Sequence, residues 1–438
     1  MIKIYKQSSC KYLIKKTNNI QQLIKSYKKK YKEIKLLNKK YKFFSISDFG
    51  YIKNQLTKLD LKKKKKNLFL IPIGIKDVFN TKNLKTEFGS PIFKNFIPGN
   101  NSRLVDIIAE NQGIIVGKTT TAEFAVHYFP ETSTINPHNK KHITGTSSAG
   151  SAVAVACGAL PVALGTQTAG SIIRPASFCG VIGFKPSFGA LDRTGVLKTS
   201  DTLDTIGLFS SNIFILNKTF QTLIQAEDQY PYSKDYFKKK KNKKKFRIGI
   251  ISDCFSGYKN YDEEVKKDFE LFCEKYLNKY KIIKNSDFCF INKVHENHEN
   301  IYCKSLAYYF KSLGKRKKKF SKIMESMIKK GNLISKNKYI ESCNIQEKLT
   351  NKFENIMNNY DFLITPSTAS VAPKIGENEK MDTSLIWTFF GAPAISLPIF
   401  YDEKTKLPFG IQIISSRYND FFLLNFCEKI LENLNKKY

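Results

Sequence analysis

The chain has 438 residues, 42% of them hydrophobic, which is enough apolar side chain for a sizeable core and excludes wholesale disorder. Its 73 Lys and Arg against 38 Asp and Glu leave a net charge of +35. No apolar run approaches the ~20 residues that span a bilayer, and the opening Met1-Ile-Lys-Ile-Tyr-Lys-Gln lacks the apolar core of a signal peptide. A cytoplasmic protein without membrane contact is therefore expected.

The basic excess is concentrated, with a net +18 in residues 1–66 but +1 from Ile143 to Ser210. Six of the 73 cations are Arg, whereas nucleic-acid readers favour the bidentate Arg fork. The charge is read as a solvated surface, with no specific nucleic-acid partner. Nine scattered cysteines without a Cys-x-x-Cys pair argue against a disulfide framework or zinc ribbon and for a reducing compartment.

In chain order, residues 19–60 read as helical, with Ile20, Leu23, Ile24 and Tyr27 at helical spacing. Leu68-Phe-Leu-Ile-Pro-Ile-Gly reads as an apolar strand. Ser102 is expected to cap a helix over 103–112, stopped by Gly113. Gly113-Ile-Ile-Val-Gly117 follows as a buried strand, and Thr121 is expected to start another helix. From Thr144 to Gly189 the chain is built of Gly, Ala, Ser, Thr, Val and Ile, with a small-residue helix over 151–159 and a strand over 162–165. Pro231–Lys245 reads as an exposed connection before a strand at Phe246. Residues 255–360 read as helical and charged, with an exposed run at Lys315. Strands return at Phe362 and Leu407. Strands alternating with helices predict an α/β architecture.

Two look-alikes carry little. Gly113-Ile-Ile-Val-Gly117-Lys118-Thr119 has three residues between its glycines where a phosphate loop needs four, and it reads as a strand. His295-Glu-Asn-His298 has no third ligand nearby and reads as polar surface, so no metal site or cofactor is expected.

The segment from Thr144 to Ala176 is more informative. Thr166-Gln-Thr-Ala-Gly-Ser171 follows a strand and precedes a helical turn, so its successive N–H groups fit an anion nest beside the Ser171 hydroxyl. A Gly/Ala-packed helix with ordinary turns fits the same composition. No His lies within 20 residues of Ser171 and no Gly-x-Ser-x-Gly elbow exists, so a lysine suits the role of base better. Lys76 ends an apolar strand, where burial lowers a lysine's pKa.

Pro72-Ile-Gly-Ile-Lys76-Asp, Gly145-Thr-Ser147-Ser-Ala-Gly-Ser, Thr168-Ala-Gly-Ser171-Ile-Ile-Arg-Pro and Gly183-Phe-Lys-Pro together resemble the amidase signature family. Leu203-Asp-Thr-Ile-Gly, Gly391-Ala-Pro-Ala-Ile-Ser-Leu-Pro and Leu407-Pro-Phe-Gly-Ile-Gln extend the resemblance, which is weakest over 1–66 and 230–350. The 24-residue interval from Ser147 to Ser171 is the family's usual spacing. The resemblance implies a single α/β domain over 1–438 with a central mixed sheet covered by helices on both faces. Within it, 1–66 is a basic helical part, 67–230 the catalytic core, 231–360 a variable helical part and 361–438 the C-terminal strands and helix.

It also implies a Ser–cis-Ser–Lys triad. Ser171 is the nucleophile forming an acyl-enzyme, Ser147 relays the proton, and Lys76 is the base. The N–H groups of Thr168, Ala169, Gly170 and Ser171 hold the oxyanion, and Thr146 and Arg174 contact substrate. The order Ser171-Ile-Ile-Arg174-Pro differs from the Ser-Ile-Arg-x-Pro of the related amidotransferase glutaminases and resembles malonamidase-like enzymes. Arg174 is then expected to bind a substrate carboxylate through its fork, or to pin a loop. The expected activity is hydrolysis of a small carboxylic amide. The alternative is the glutaminase component of a tRNA-dependent amidotransferase, delivering ammonia to a partner subunit. A non-catalytic basic protein on the same fold is a third reading. A homodimer is left open.

Overall fold

The structure, a computed structural model, describes residues 19–63, 66–126, 133–145, 147–224, 245–251, 256–284, 286–313 and 320–435. Thr146, residues 231–244 of the connection expected over Pro231–Lys245, and the run at Lys315 lie outside the described residues.

Asn19 opens α1 (Ile20–Tyr41) by accepting from the N–H groups of Gln21 and Gln22, and Leu23, Ile24, Tyr27 and Ile34 form its buried stripe. Lys42, at φ 54°, ends it in the left-handed region. The helix expected over 19–60 is therefore interrupted. Phe43 and Phe44 are buried, and Phe44 pairs with Thr119 as part of a short strand, β1 (Phe44–Ile46), before α2 (Phe49–Thr57). Next come β2 (Pro72–Lys76), α3 (Arg103–Glu110) and β3 (Ile114–Thr119). The helix expected at Thr121 is one short turn, Glu123–Ala125, because Phe124 and Ala125 adopt positive φ, which a right-handed helix cannot accommodate.

The central part runs through α4 (Ala149–Ala156), β4 (Val162–Gln167), α5 (Ile173–Cys179), β5 (Ile182–Lys185), β6 (Thr205–Ser210) and α6 (Ile213–Leu223). Beyond it, β7 (Arg247–Ile250), α7 (Glu263–Tyr276), β8 (Lys281–Lys284), α8 (Val294–Tyr309), α9 (Lys322–Leu333) and α10 (Lys336–Met357) show that the charged 255–360 stretch contains a strand as well as helices. The chain closes with β9 (Phe362–Pro366), α11 (Ser384–Phe389), β10 (Ala394–Tyr401), β11 (Pro408–Ile414) and α12 (Asp420–Asn435).

The strands form one mixed sheet ordered β1-β3-β2-β4-β6-β5-β10-β11-β9-β7-β8. Both of its faces are buried, and alternate residues serve them. Val162 and Leu164 of β4 join the larger apolar cluster, while Ala163 between them joins the smaller, with helices α1, α2, α4 and α5. This is the α/β architecture, helices on both faces, that the resemblance implied. The small residues of α4 have a packing reason. A Cβ on Gly150 would lie 2.4 Å from Thr120 N and 2.5 Å from Phe43 O, so a side chain there would lift α4 off the β1–β3 edge. That close approach sets the position of the α4 N-terminus, where Ser147 and Ser148 sit.

Candidate active site

β2 and β4 are parallel neighbours, with Ile73 opposite Val162 and Ile75 opposite Leu164. Their C-terminal ends therefore emerge together, bringing Lys76 and Thr166 side by side, as is usual for sites in sheets of this type. Lys76 is fully buried. Its Nζ lies 2.6 Å from Ser147 Oγ, 3.0 Å from Ser148 Oγ and 2.9 Å from Thr166 Oγ1. Ser147 Oγ in turn reaches Ala125 O at 2.9 Å, and Ser148 Oγ reaches Thr166 O at 3.1 Å. The left-handed turn at Phe124 and Ala125 thus places a carbonyl against Ser147. Burial drives the Lys76 pKa well below the ordinary lysine value, and the charge of Asp204 pulls it back in part.

After β4 the chain enters the loop 168–171. Its carbonyls are anchored one by one. His298 Nε2 meets Thr168 O at 2.7 Å, Thr388 Oγ1 donates to Ala169 O at 2.7 Å, and Arg174 N donates to Gly170 O at 2.9 Å. The Thr168 hydroxyl donates to Asp204 at 2.7 Å, and that carboxylate also accepts from the N–H groups of Thr199 and Ser200. Gln167 Oε1 takes the N–H groups of Ile172 and Ile173, at 2.6 and 3.0 Å. The N–H groups of 168–171 donate to none of the described residues. Donors held in place and left unspent are what an anion nest requires. Ser171, 5% exposed, makes no hydrogen bond to a described residue, so its link to Ser147 is not formed as a hydrogen bond in this structure.

Arg174 is committed elsewhere. Its Nη1 lies 3.0 Å from Glu379 Oε2 and its Nε 3.3 Å from Asp382 Oδ2, with the side chain largely buried. Burial opposes its charge, and the two carboxylates overcome that and hold the guanidinium ionised. Thr146 falls outside the described residues, between Gly145 at φ 87° and Ser147.

The His295–His298 pair corrects the expectation of polar surface. His295 is half-buried and His298 is 3% exposed. The reason is helical phase, since Val294, His298, Ile301, Tyr302 and Ser305 form the inward stripe of α8. That i, i+4, i+7, i+8 pattern was present in the sequence and was masked by the charged residues around it. Ser148 and Thr166 lie inside the segment 144–176 but carry no spacing that ties them to Lys76, and Thr388 comes from a distant stretch, so tertiary packing alone shows them at the site. The phosphate-loop look-alike is strand β3, with Lys118 buried and donating to Thr86 Oγ1 at 2.8 Å.

The site thus brings together a buried lysine, serine hydroxyls and a loop whose N–H groups donate to none of the described residues. The Amidase family model matches residues 22–424, and the chain belongs to that family. It is an amide-hydrolysing enzyme. The chain is 30% identical over 418 residues to the A subunit of glutamyl-tRNA(Gln) amidotransferase from Halothermothrix orenii, covering 84% of this chain and 85% of that protein. A crystal structure of an amidase superposes with a TM-score of 0.79 at 22% identity, covering 92% of this chain and 96% of the other. The structure of the same amidotransferase component from Thermotoga maritima superposes with a TM-score of 0.70 at 22% identity, covering 94% of each chain. At those identities the superpositions speak for the fold. Among the described residues, no helix is long and apolar enough to cross a membrane.

Proposed function

We propose that the chain cleaves a primary carboxamide through Ser171, and that the amide is glutamine's, with the ammonia passed to a partner subunit of an amidotransferase. The observation that carries the chemistry is the 2.6 Å contact between Lys76 and Ser147, with Lys76 also 2.9 Å from Thr166, two residues before the loop whose N–H groups donate to none of the described residues. A neutral amine has two N–H donors and one lone pair for its three hydroxyl neighbours. Ser148 sends its own proton to Thr166 O and so accepts from Lys76. Ser147 likewise points its proton at Ala125 O and accepts from Lys76, so the relay requires that hydroxyl to turn its proton from Ala125 O to the lone pair of the neutral amine.

Ser171 Oγ then attacks the carboxamide carbon, and its proton passes to Ser147 as the Ser147 proton moves to Lys76. The tetrahedral oxyanion lies against the N–H groups of 168–171. As the C–N bond breaks, Ser147 protonates the departing nitrogen and recovers its own proton from Lys76. Water hydrolyses the acyl ester, giving acid and ammonia overall.

Kinship supports the choice of glutamine, since the relative at 30% identity over 84% of this chain is a component of glutamyl-tRNA(Gln) amidotransferase. The second reading, a stand-alone amidase for carboxylated amides, is favoured by the order Ser171-Ile-Ile-Arg174-Pro. Against it, a substrate carboxylate would have to compete with Glu379 and Asp382 for Arg174. Ammonia release from a panel of amides separates the two. The first reading expects glutamine to lead and turnover to rise when the partner subunit is supplied. It also expects Arg174→Lys to slow neutral and carboxylated amides alike, by loosening the loop that carries Glu379 and Asp382. A small amide-acid hydrolysed without a partner, with an Arg174→Lys loss confined to carboxylated amides, would select the second.

A further inference from the structure

We propose that His298, on α8, is a positioning residue that aims the oxyanion donors. The proposal rests on the reading of Ser171 as nucleophile and of its loop as the anion nest. His298 Nε2 and Thr168 O are 2.7 Å apart. A carbonyl oxygen can only accept, so Nε2 carries the proton and Nδ1 does not. The ring is 3% exposed, and burial pushes its pKa down to about 4, so one neutral tautomer donates throughout the neutral range.

The consequence follows from the peptide plane. Thr168 C=O and Ala169 N–H belong to one rigid trans unit and point in opposite directions. By drawing Thr168 O toward α8, His298 turns Ala169 N–H to the opposite side of the loop. The same logic links the other two anchors, with Thr388 Oγ1 on Ala169 O setting Gly170 N–H and Arg174 N on Gly170 O setting Ser171 N–H. Of the three, His298 alone comes from the 230–350 stretch, where the sequence resemblance is weakest. Asp204 holds the Thr168 hydroxyl at 2.7 Å. With its C=O held by His298 and the residue fixed by its hydroxyl, the Thr168–Ala169 unit would have to break the His298 contact to turn its N–H elsewhere.

The test uses the full chain and a fluorophosphonate, whose reaction with a serine builds negative charge on a phosphoryl oxygen in the nest and needs no knowledge of the substrate. His298→Gln keeps an N–H donor at similar reach, whereas His298→Leu keeps the bulk and removes the donor. With Leu, the maximal labelling rate at Ser171 falls ~10–100-fold with half-saturation nearly unchanged, and Gln recovers most of the loss. Melting temperatures separate this from loss of fold. Equal losses for Gln and Leu, or a Leu variant labelled at the wild-type rate, overturn the proposal. Should the Leu variant not fold, the long-range 1H–15N spectrum of the wild type decides. An Nε2–H tautomer with a slowly exchanging proton supports the assignment, and an Nδ1–H tautomer overturns it. Failure of wild-type Ser171 to label at all overturns the nucleophile reading itself, and this inference with it.

Discussion

In the proposed chemistry the site turns on a lysine, Lys76, that must be neutral to act. Lys76 is buried among three hydroxyl oxygens, and its pKa is held well below the ordinary value by that burial, against the opposing charge of Asp204. A base with a depressed pKa is inactive when protonated, so activity rises with pH through the folded pKa of Lys76 and is flat above it. The rise should be complete well below the titration of a free lysine. Lys76→Arg keeps length and charge but never loses its proton, and it is expected to lose ~10³-fold or more in kcat at every pH. A near-native rate for Lys76→Arg, or activity that falls as pH rises over the same range, would contradict the assignment.

At the scale of the element, the site depends on how closely α4 lies on the sheet. Gly150 faces Thr120 N and Phe43 O at distances that admit no Cβ. Gly150→Ala is expected to cost about 1–3 kcal/mol through overpacking, and to lower activity further by displacing Ser147 and Ser148 at the N-terminus of the same helix. Chemical denaturation and turnover of the variant check both parts. Unchanged stability would mean that the helix yields without cost. This also marks what was legible in the sequence. The small-residue helix was read from the composition of the segment after Thr144, and Lys76, Ser147 and Ser171 were read from motifs that lie in order along the chain. The partners that hold them were not legible in that way. Thr166, Thr388 and His298 reach the site from β4, α11 and α8, and tertiary packing rather than spacing brings them together. The failed helix at Thr121 is a related case, because the turn at Phe124 and Ala125 serves Ser147 through the Ala125 carbonyl rather than any local preference.

Across the whole molecule, buried lysines couple stability to pH. Burial lowers Lys185 to about 7 against the pull of Asp420, and lowers Lys118 against the pull of Asp77, alongside Lys76. The unfolded chain protonates each of them up to about pH 10.4, so above neutrality the unfolded state binds more protons and stability rises with pH. The slope is ~1.4 kcal/mol per pH unit for each lysine that is neutral in the fold. Asp420, pushed up to about 6 by burial, acts with the opposite sign below that pH, and the buried Cys179 and Cys427, pushed upward by burial, oppose the trend above about pH 9. The melting temperature is therefore expected to rise from pH 7 to 8.5 at fixed ionic strength, the salt being held constant because a chain of net charge +35 also repels itself. A flat or falling melting temperature over that interval would contradict the account of the buried lysines.

The central claim is that Ser171 is the nucleophile and that Lys76 activates it through Ser147. Peptide mapping after treatment with a fluorophosphonate tests it most directly. The account predicts one adduct, on Ser171, abolished by Ser171→Ala and slowed ~10³-fold by Lys76→Met, a variant that fills the strand-end cavity without a base. An adduct on Ser147, Ser148 or Ser151 instead, or labelling of Ser171 that is indifferent to Lys76→Met, would contradict it.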